Sequence, residues 1–457
     1  MKRYSYLPSL IISVIVLVVG VSMLERHFKN ELLKAGLLSN NSNNLYPYGR
    51  RVSGYTVTEN VPNFKFGGFD ENLNPSPFET DNNGFLAEEN VKREKEKGIT
   101  RIFIVGGSTA WGSLESRSVM KDSSYPVGSY CYNATIAGKL KKLLTQKYPE
   151  QKFEVIDAAV VGFKLSQDFA LYMERLHDFD PDIVINIDGY NDMGNMTGKE
   201  GLNDPYSDNE QQLEEGLELS AIARIPKWPY TLAYYNYKQI RQQAKLEKHK
   251  MFSRKRVSDN KTPITLEPDI SAYNLKKHFN PVSTKLLWLV ASYEKQLNAD
   301  GVYSVFCLQP TLQRRENQKQ LSPLELKFRN KLETVTVVDT VNIKANIEQL
   351  IPGIINNSGL TFDSLRKEMG LSIYGIKNLN GAFLLNDMSP VFDSLITANG
   401  GAYVDVNKKM NDMGSDKEFY TDYCHLTPYG NQFVAELLLK KVELYLHNKK
   451  GVVAASN

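Results

Sequence analysis

Five residues carry the chemistry that this sequence offers, and each stands where an apolar run ends or a helix begins. Ser108 lies in "FIVGGSTAWG", where with Ile102 just before it four apolar residues run into Gly-Gly-Ser-Thr. That pattern reads as a buried strand ending in a turn that exposes a hydroxyl. A turn of this kind is also ordinary punctuation in α/β proteins, so the segment by itself leaves Ser108 as either nucleophile or turn residue. A serine hydroxyl attacks a carbonyl only when a base takes its proton, and the base must be held in the right tautomer by a third group. "FYTDYCHLTPYG" offers that pair, Asp422 and His425, three residues apart in the turn before a helix marked by Thr427 as cap and Pro428 at its first position. Taken alone, Asp-x-x-His also fits a capping or surface pair.

An oxyanion needs donors fixed where its charge develops. Two segments supply candidates: the backbone N–H of Gly162 in "DAAVVGFKLSQ" and the side-chain amide of Asn191 in "DGYNDM". The elements that position all five residues follow from the pattern between 101 and 407. Short β-rich runs at 101–107, 153–162, 182–189, 302–310 and 402–407 alternate with helical spacing such as Ile136, Leu140 and Leu143. This predicts parallel strands joined by crossover helices, with ligands beyond the carboxyl ends of the strands.

The order serine, glycine, asparagine, histidine resembles the SGNH hydrolases, the GDSL-type esterase and lipase superfamily. "GGSTAWG", "VVGFKLSQ", "DGYNDM" and "DYCHLTPYG" carry the resemblance, which spans about residues 100–195 and 300–446. It implies a three-layer α/β/α fold with a five-stranded parallel sheet. It also implies Ser108 as nucleophile, His425 as base and Asp422 as its orienter, with an oxyanion hole from the N–H groups of Ser108 and Gly162 and the Asn191 amide. No metal or organic cofactor is implied. The family's usual Gly-Asp-Ser is here Gly106-Gly107-Ser108, a departure that bears on substrate subtype rather than on the triad.

At the N-terminus, Leu7 to Leu24 contains no charged residue and is long enough to cross a hydrocarbon core. The absence of a small-x-small cleavage site favours an uncleaved anchor over a signal peptide. Lys2 and Arg3 precede it while Arg26, Lys29 and Lys34 follow, so local charge does not set its orientation. The expected layout is an anchor at 1–26, a tether and irregular arm at 27–98, a catalytic domain at 99–447 with insertions at about 196–280 and 311–400, and a tail at 448–457. The first insertion holds "KWPYTLAYYNY" and then a basic run. The run reads as a solvated helix face or a contact with anionic glycan or lipid headgroups. Trp228, Tyr230, Tyr234, Tyr235 and Tyr237 suit either sugar stacking or the apolar face of a lid.

Composition narrows the partners. Apolar residues make up 42% and charged residues 23% of the 457, and a net charge of +3 gives no argument for nucleic acid. Cys131, Cys307 and Cys424 are too few for a disulfide scaffold, although a bridge between Cys131 and Cys424 would clamp two loops in an oxidising compartment. No His or Cys spacing suits zinc. The expectation is a membrane-tethered, extracytoplasmic esterase acting on acyl esters, acetyl foremost, of envelope or exported carbohydrate. The alternatives are an O-acyltransferase with the same triad, a lipase or lysophospholipase, and a non-catalytic glycan-binding or assembly protein of the same fold.

Overall fold

A computed structural model describes residues 7–34, 50–53, 55–114, 125–193, 229–242, 275–312, 319–333, 388–411 and 413–455. Trp228, the basic run beyond residue 242 and most of both insertions lie outside the described residues. The chain divides into two compact units, Met1–Val52 with Asn209–Lys261, and Ser53–Asp208 with Thr262–Asn457.

The larger unit is built on five strands: β1 (Ile99–Gly106), β2 (Lys152–Asp157), β3 (Ile183–Asp188), β4 (Tyr303–Leu308) and β5 (Ala402–Asp405). They pair in parallel in the order β2-β1-β3-β4-β5. Burial is close to complete along β1 and β3, which explains why these strands read as continuous apolar runs rather than alternating ones. The helices between them are α1 (Ile136–Lys147), α2 (Leu165–Glu174), α3 (Leu275–Ala299) and α4 (Ser389–Ala398), and α5 (Pro428–Ala455) closes the unit. α1 and α5 pack together on one face of the sheet, while α2 and α4 pack on α3 across the other. Right-handed crossovers require this, because the chain moves outward from β1 to β2 and then reverses direction to β3. The result is the three-layer α/β/α arrangement with a five-stranded parallel sheet that the sequence led us to expect. The C-terminal helix runs on to Ala455, through most of the segment expected to be a tail.

The reversal falls between β1 and β3, where open α/β sheets place their ligands. Register pairs Gly106 with Ile187 and Ile104 with Asp157, so β1 and β3 end at nearly one level and β2 ends two residues before β1. Residues 53–98 have only short strands, Val57–Asn60, Lys65–Phe66 and Phe78–Glu79, yet they are well anchored. Asp81 accepts from the N–H groups of Asn83, Phe85 and Val91, and Phe85 wedges edge-on against Phe103 and Phe179. The Asn60 amide donates to the Ala159 carbonyl at 2.9 Å, so the arm braces the segment leading to Gly162.

In the smaller unit, Leu7–Lys34 forms one helix with Ile12, Ile15, Val16, Leu17 and Val18 more than half exposed. Among the described residues no helix is long and apolar enough to cross a membrane. The side chains of residues 7–11, which complete the charge-free stretch, lie outside the described residues. Residues 230–242 form a second helix, and Glu25 accepts from its first N–H groups, those of Tyr230 and Thr231. Phe28 packs on Tyr234, and Lys29 lies over the Tyr230 ring. Tyr230, Tyr234, Tyr235 and Tyr237 therefore belong to the unit of the N-terminal helix, not the unit that carries Ser108.

Candidate active site

Ser108 opens a four-residue helix directly after β1, half-buried between the buried Gly107 and Thr109. Its Oγ stands 2.8 Å from His425 Nε2, and His425 Nδ1 stands 2.7 Å from Asp422 Oδ2. Asp422 Oδ1 accepts from the N–H groups of Cys424 and His425 at 2.9 and 2.8 Å. The three-residue spacing thus closes a turn on its own aspartate, which aims the imidazole at the serine. Burial works to raise the Asp422 carboxyl, but the His425 ring and these backbone donors outweigh it and hold the group below its usual range. Asp422 is therefore ionised, fixing the proton of His425 on Nδ1 and leaving Nε2 to accept from Ser108.

The turn is strapped from several sides. Thr109 Oγ1 donates to the Cys424 carbonyl at 3.0 Å and accepts from the Gln309 amide at 2.6 Å, linking the nucleophile segment, the histidine turn and the end of β4. Glu325, fully buried, accepts from the N–H groups of Phe419 and Tyr420 at 2.7 and 3.3 Å and pairs with Lys319 at 2.6 Å. The sequence reading did not single out Thr109, Gln309 or Glu325. For Glu325 a signal was present: "SPLE" is a capping box, with Ser322 and Glu325 exchanging side-chain to backbone bonds at 3.0 and 3.2 Å.

The expected oxyanion donors converge on the same side. Asn191, in the short helix Tyr190–Met193 after β3, is half-buried between buried neighbours, and its Nδ2 donates to the Phe163 carbonyl at 2.8 Å. An amide nitrogen has two hydrogens, so one remains for a ligand. Gly162 precedes Phe163 with φ +86°, a left-handed turn that a side chain would strain, and the Val160 N–H donates to the Gly106 carbonyl at 3.0 Å. The structure therefore brings all five expected residues to the carboxyl edge of β1 and β3.

Asp422, Cys424 and His425 are close enough together to suggest metal ligation, with ligand atoms within 4.8 Å of one another. Both imidazole nitrogens are already engaged by Asp422 and Ser108, which fits a triad and leaves the histidine without a free lone pair for an ion. Cys131, Cys307 and Cys424 are in no disulfide, so the bridge considered between Cys131 and Cys424 is not formed.

No model of a known protein family matches the chain, and no curated protein matches it. Among solved structures it is similar to the acetyl xylan esterase AlAXEase, at 10% identity and a TM-score of 0.34, covering 74% of this chain and 98% of that one. It is similar to Axe2, an acetylxylan esterase from Geobacillus stearothermophilus, at 11% identity and a TM-score of 0.33, covering 75% and 94%. A lipase/acylhydrolase from Enterococcus faecalis matches at 10% identity and a TM-score of 0.33, covering 75% and 95%.

Proposed function

We propose that this protein is a serine esterase of the SGNH type that removes acyl groups, acetyl foremost, from carbohydrate. The observation that carries the proposal is the unbroken line from Ser108 Oγ through His425 to the buried carboxylate of Asp422. Asn191 stands beside it on the oxyanion side. In the first step His425 Nε2 takes the hydroxyl proton as Ser108 Oγ bonds to the ester carbonyl carbon. The oxyanion is held by the N–H groups of Ser108 and Gly162 and by the free hydrogen of the Asn191 amide. Collapse breaks the ester C–O bond, and the imidazolium returns its proton to the leaving sugar oxygen. Water then attacks the acyl-serine with His425 as base, releasing the carboxylic acid and free Ser108.

Carbohydrate and acetyl enter through the family resemblance rather than from the geometry of a substrate pocket. The charge-free stretch at 7–24, with its exposed side chains from Ile12 to Leu24, supports a membrane tether for the same protein, with the catalytic unit outside the cytoplasm. A second reading, acyl transfer to a sugar hydroxyl, uses the same acyl-serine and differs only in the acceptor.

Two measurements test the proposal. A fluorophosphonate probe is expected to label Ser108 stoichiometrically, with no labelling in Ser108→Ala and strong loss in His425→Ala. Absence of labelling overturns the enzyme reading in favour of a binding protein. A short activated acetyl ester is expected to turn over in water alone. Slow hydrolysis with acetyl appearing on added oligosaccharide favours the transferase, and rapid cleavage of long-chain esters only favours a lipase.

A further inference from the structure

Behind the oxyanion side of the site lie three carboxyls that the mechanism above does not use. Asp168 is in the first turn of α2, Asp188 is the last residue of β3, and Asp192 follows Asn191. All are at most 1% exposed. Asp192 has partners: its Oδ1 accepts from the Leu165 N–H at 3.3 Å, and the buried Lys164 ammonium is its counter-charge.

Asp168 and Asp188 are different. Neither oxygen of Asp168, nor Oδ2 of Asp188, meets a well-placed N–H or O–H donor. The two carboxyls instead contact each other. Two carboxylates are acceptors only, so this contact is a hydrogen bond when one of them holds a proton, and a repulsion when neither does. Burial raises both groups and the Asp192 charge adds to it, while the Gly106 amide works against this at Asp168 and the Asn186 side chain at Asp188; Tyr293 from α3 also faces the pair. Burial is the largest influence on each, so the balance favours the proton. Lys164 is the counter-charge of Asp192.

Chain path gives the pair its consequence. Asp168 lies at the start of the helix that follows the Gly162 turn, Asp188 lies three residues before Asn191, and Gly106 lies two residues before Ser108. We propose that Asp168 and Asp188 share one proton, and that as positioning residues this proton-bridged pair seats the Gly162 turn and Asn191 against Ser108. The proposal rests on the esterase reading. Loss of the shared proton sets two buried carboxylates against each other, and the strands and turn that carry the oxyanion donors move apart.

The test is the pH profile of kcat and KM for a short activated acetyl ester in the full-length protein, with Asp188→Ala, Asp188→Asn and Asp168→Asn compared to wild type. Wild type is expected to lose kcat on the alkaline side as the shared proton leaves. Asp188→Ala is expected to lower kcat about tenfold or more with KM within about twofold, the pattern of misplaced oxyanion donors. Asp188→Asn replaces the shared proton with an amide donor that does not titrate. It is expected to recover most of the kcat that alanine loses and to extend the plateau to higher pH. If circular dichroism shows Asp188→Asn unfolded, Asp168→Asn makes the reciprocal exchange and reads the same limb. An alkaline limb unchanged in the asparagine variants, or wild-type kcat in Asp188→Ala, overturns the proposal. When Ser108 is labelled by fluorophosphonate throughout, that outcome leaves the esterase reading standing. A wild-type chain that takes no label at Ser108 overturns both.

Discussion

A Cβ placed on Gly107 would lie 2.4 Å from Nδ2 of Asn191, so the residue before the nucleophile owes its lack of a side chain to the amide beside it. Gly106-Gly107-Ser108 stands where the SGNH hydrolases that the sequence resembles commonly carry Gly-Asp-Ser, and the space beside Gly107 is filled by the Asn191 amide. Because the obstructing atom is the end of a flexible side chain, Gly107→Ala is expected to fold normally and to displace Asn191. Steady-state kinetics on a short acetyl ester should show kcat reduced about 10- to 100-fold with KM little changed, the cost of one misplaced oxyanion donor. Wild-type kcat in Gly107→Ala would remove Asn191 from the oxyanion hole.

Asp422 gives a prediction with a pH sign. Its carboxyl is held below the ordinary range in the folded protein, so it adds stability above the unfolded carboxyl's pKa and loses it as pH falls through the folded value. Asp422→Asn is expected to lower kcat by about 10²- to 10⁴-fold, because the amide no longer fixes the His425 tautomer. Denaturant titrations should show wild type more stable than Asp422→Asn at neutral pH, with the gap narrowing as the medium becomes acid. A constant gap would mean that the carboxylate charge is not what holds the turn.

The sheet and the alignment of Ser108, His425 and Asp422 were legible because each rests on local pattern. Strands buried on both faces read as apolar runs, and the Asp422 turn closes within four residues. What supports the site was not legible, because it depends on contacts between distant segments. Thr109 reaches the Cys424 carbonyl across most of the chain, and the contact of Asp168 with Asp188 has no signature in spacing. The partners of the aromatic stretch were hidden for the same reason: Glu25 and Phe28, far earlier in the chain, hold Tyr230 and Tyr234 against the N-terminal helix.

Glu325 is expected to be worth more to the site than its distance along the chain from the triad suggests. It satisfies two backbone donors just before the Asp422 turn, and Lys319, 3% exposed, has it as ion-pair partner. Glu325→Ala leaves those donors bare and a buried ammonium without its carboxylate, a change expected to cost about 3–5 kcal/mol. Chemical denaturation should show that loss. Unchanged stability would mean that water replaces the carboxylate.

The N-terminal helix offers a test independent of catalysis. Ile15 and Val18 are 55% and 61% exposed within the charge-free run. In cells, wild type is expected to stay with the membrane fraction through an alkaline carbonate wash, and the double variant Ile15→Lys, Val18→Lys to be released. Each lysine at the centre of a spanning helix costs about 2.5–3.5 kcal/mol on insertion scales. Release of wild type by the same wash would refute the tether while leaving the esterase untouched.

Glu294 makes stability fall where most carboxylates make it rise. It is 3% exposed on α3, accepts from Ser304 Oγ at 2.7 Å through Oε1, and has no partner for Oε2. Burial pushes its carboxyl up to about 7, with Ser304 opposing. A folded pKa above the unfolded one means that the contribution is fully present below the unfolded pKa and is lost as pH rises through about 7. Glu294→Gln keeps an acceptor for Ser304 and carries no charge at any pH. Denaturant titrations at pH 5 and pH 8 are expected to show a decline in wild type that is smaller in Glu294→Gln, by an amount on the order of 1–3 kcal/mol. Equal declines would place the Glu294 carboxyl in contact with solvent and return its pKa to the ordinary range.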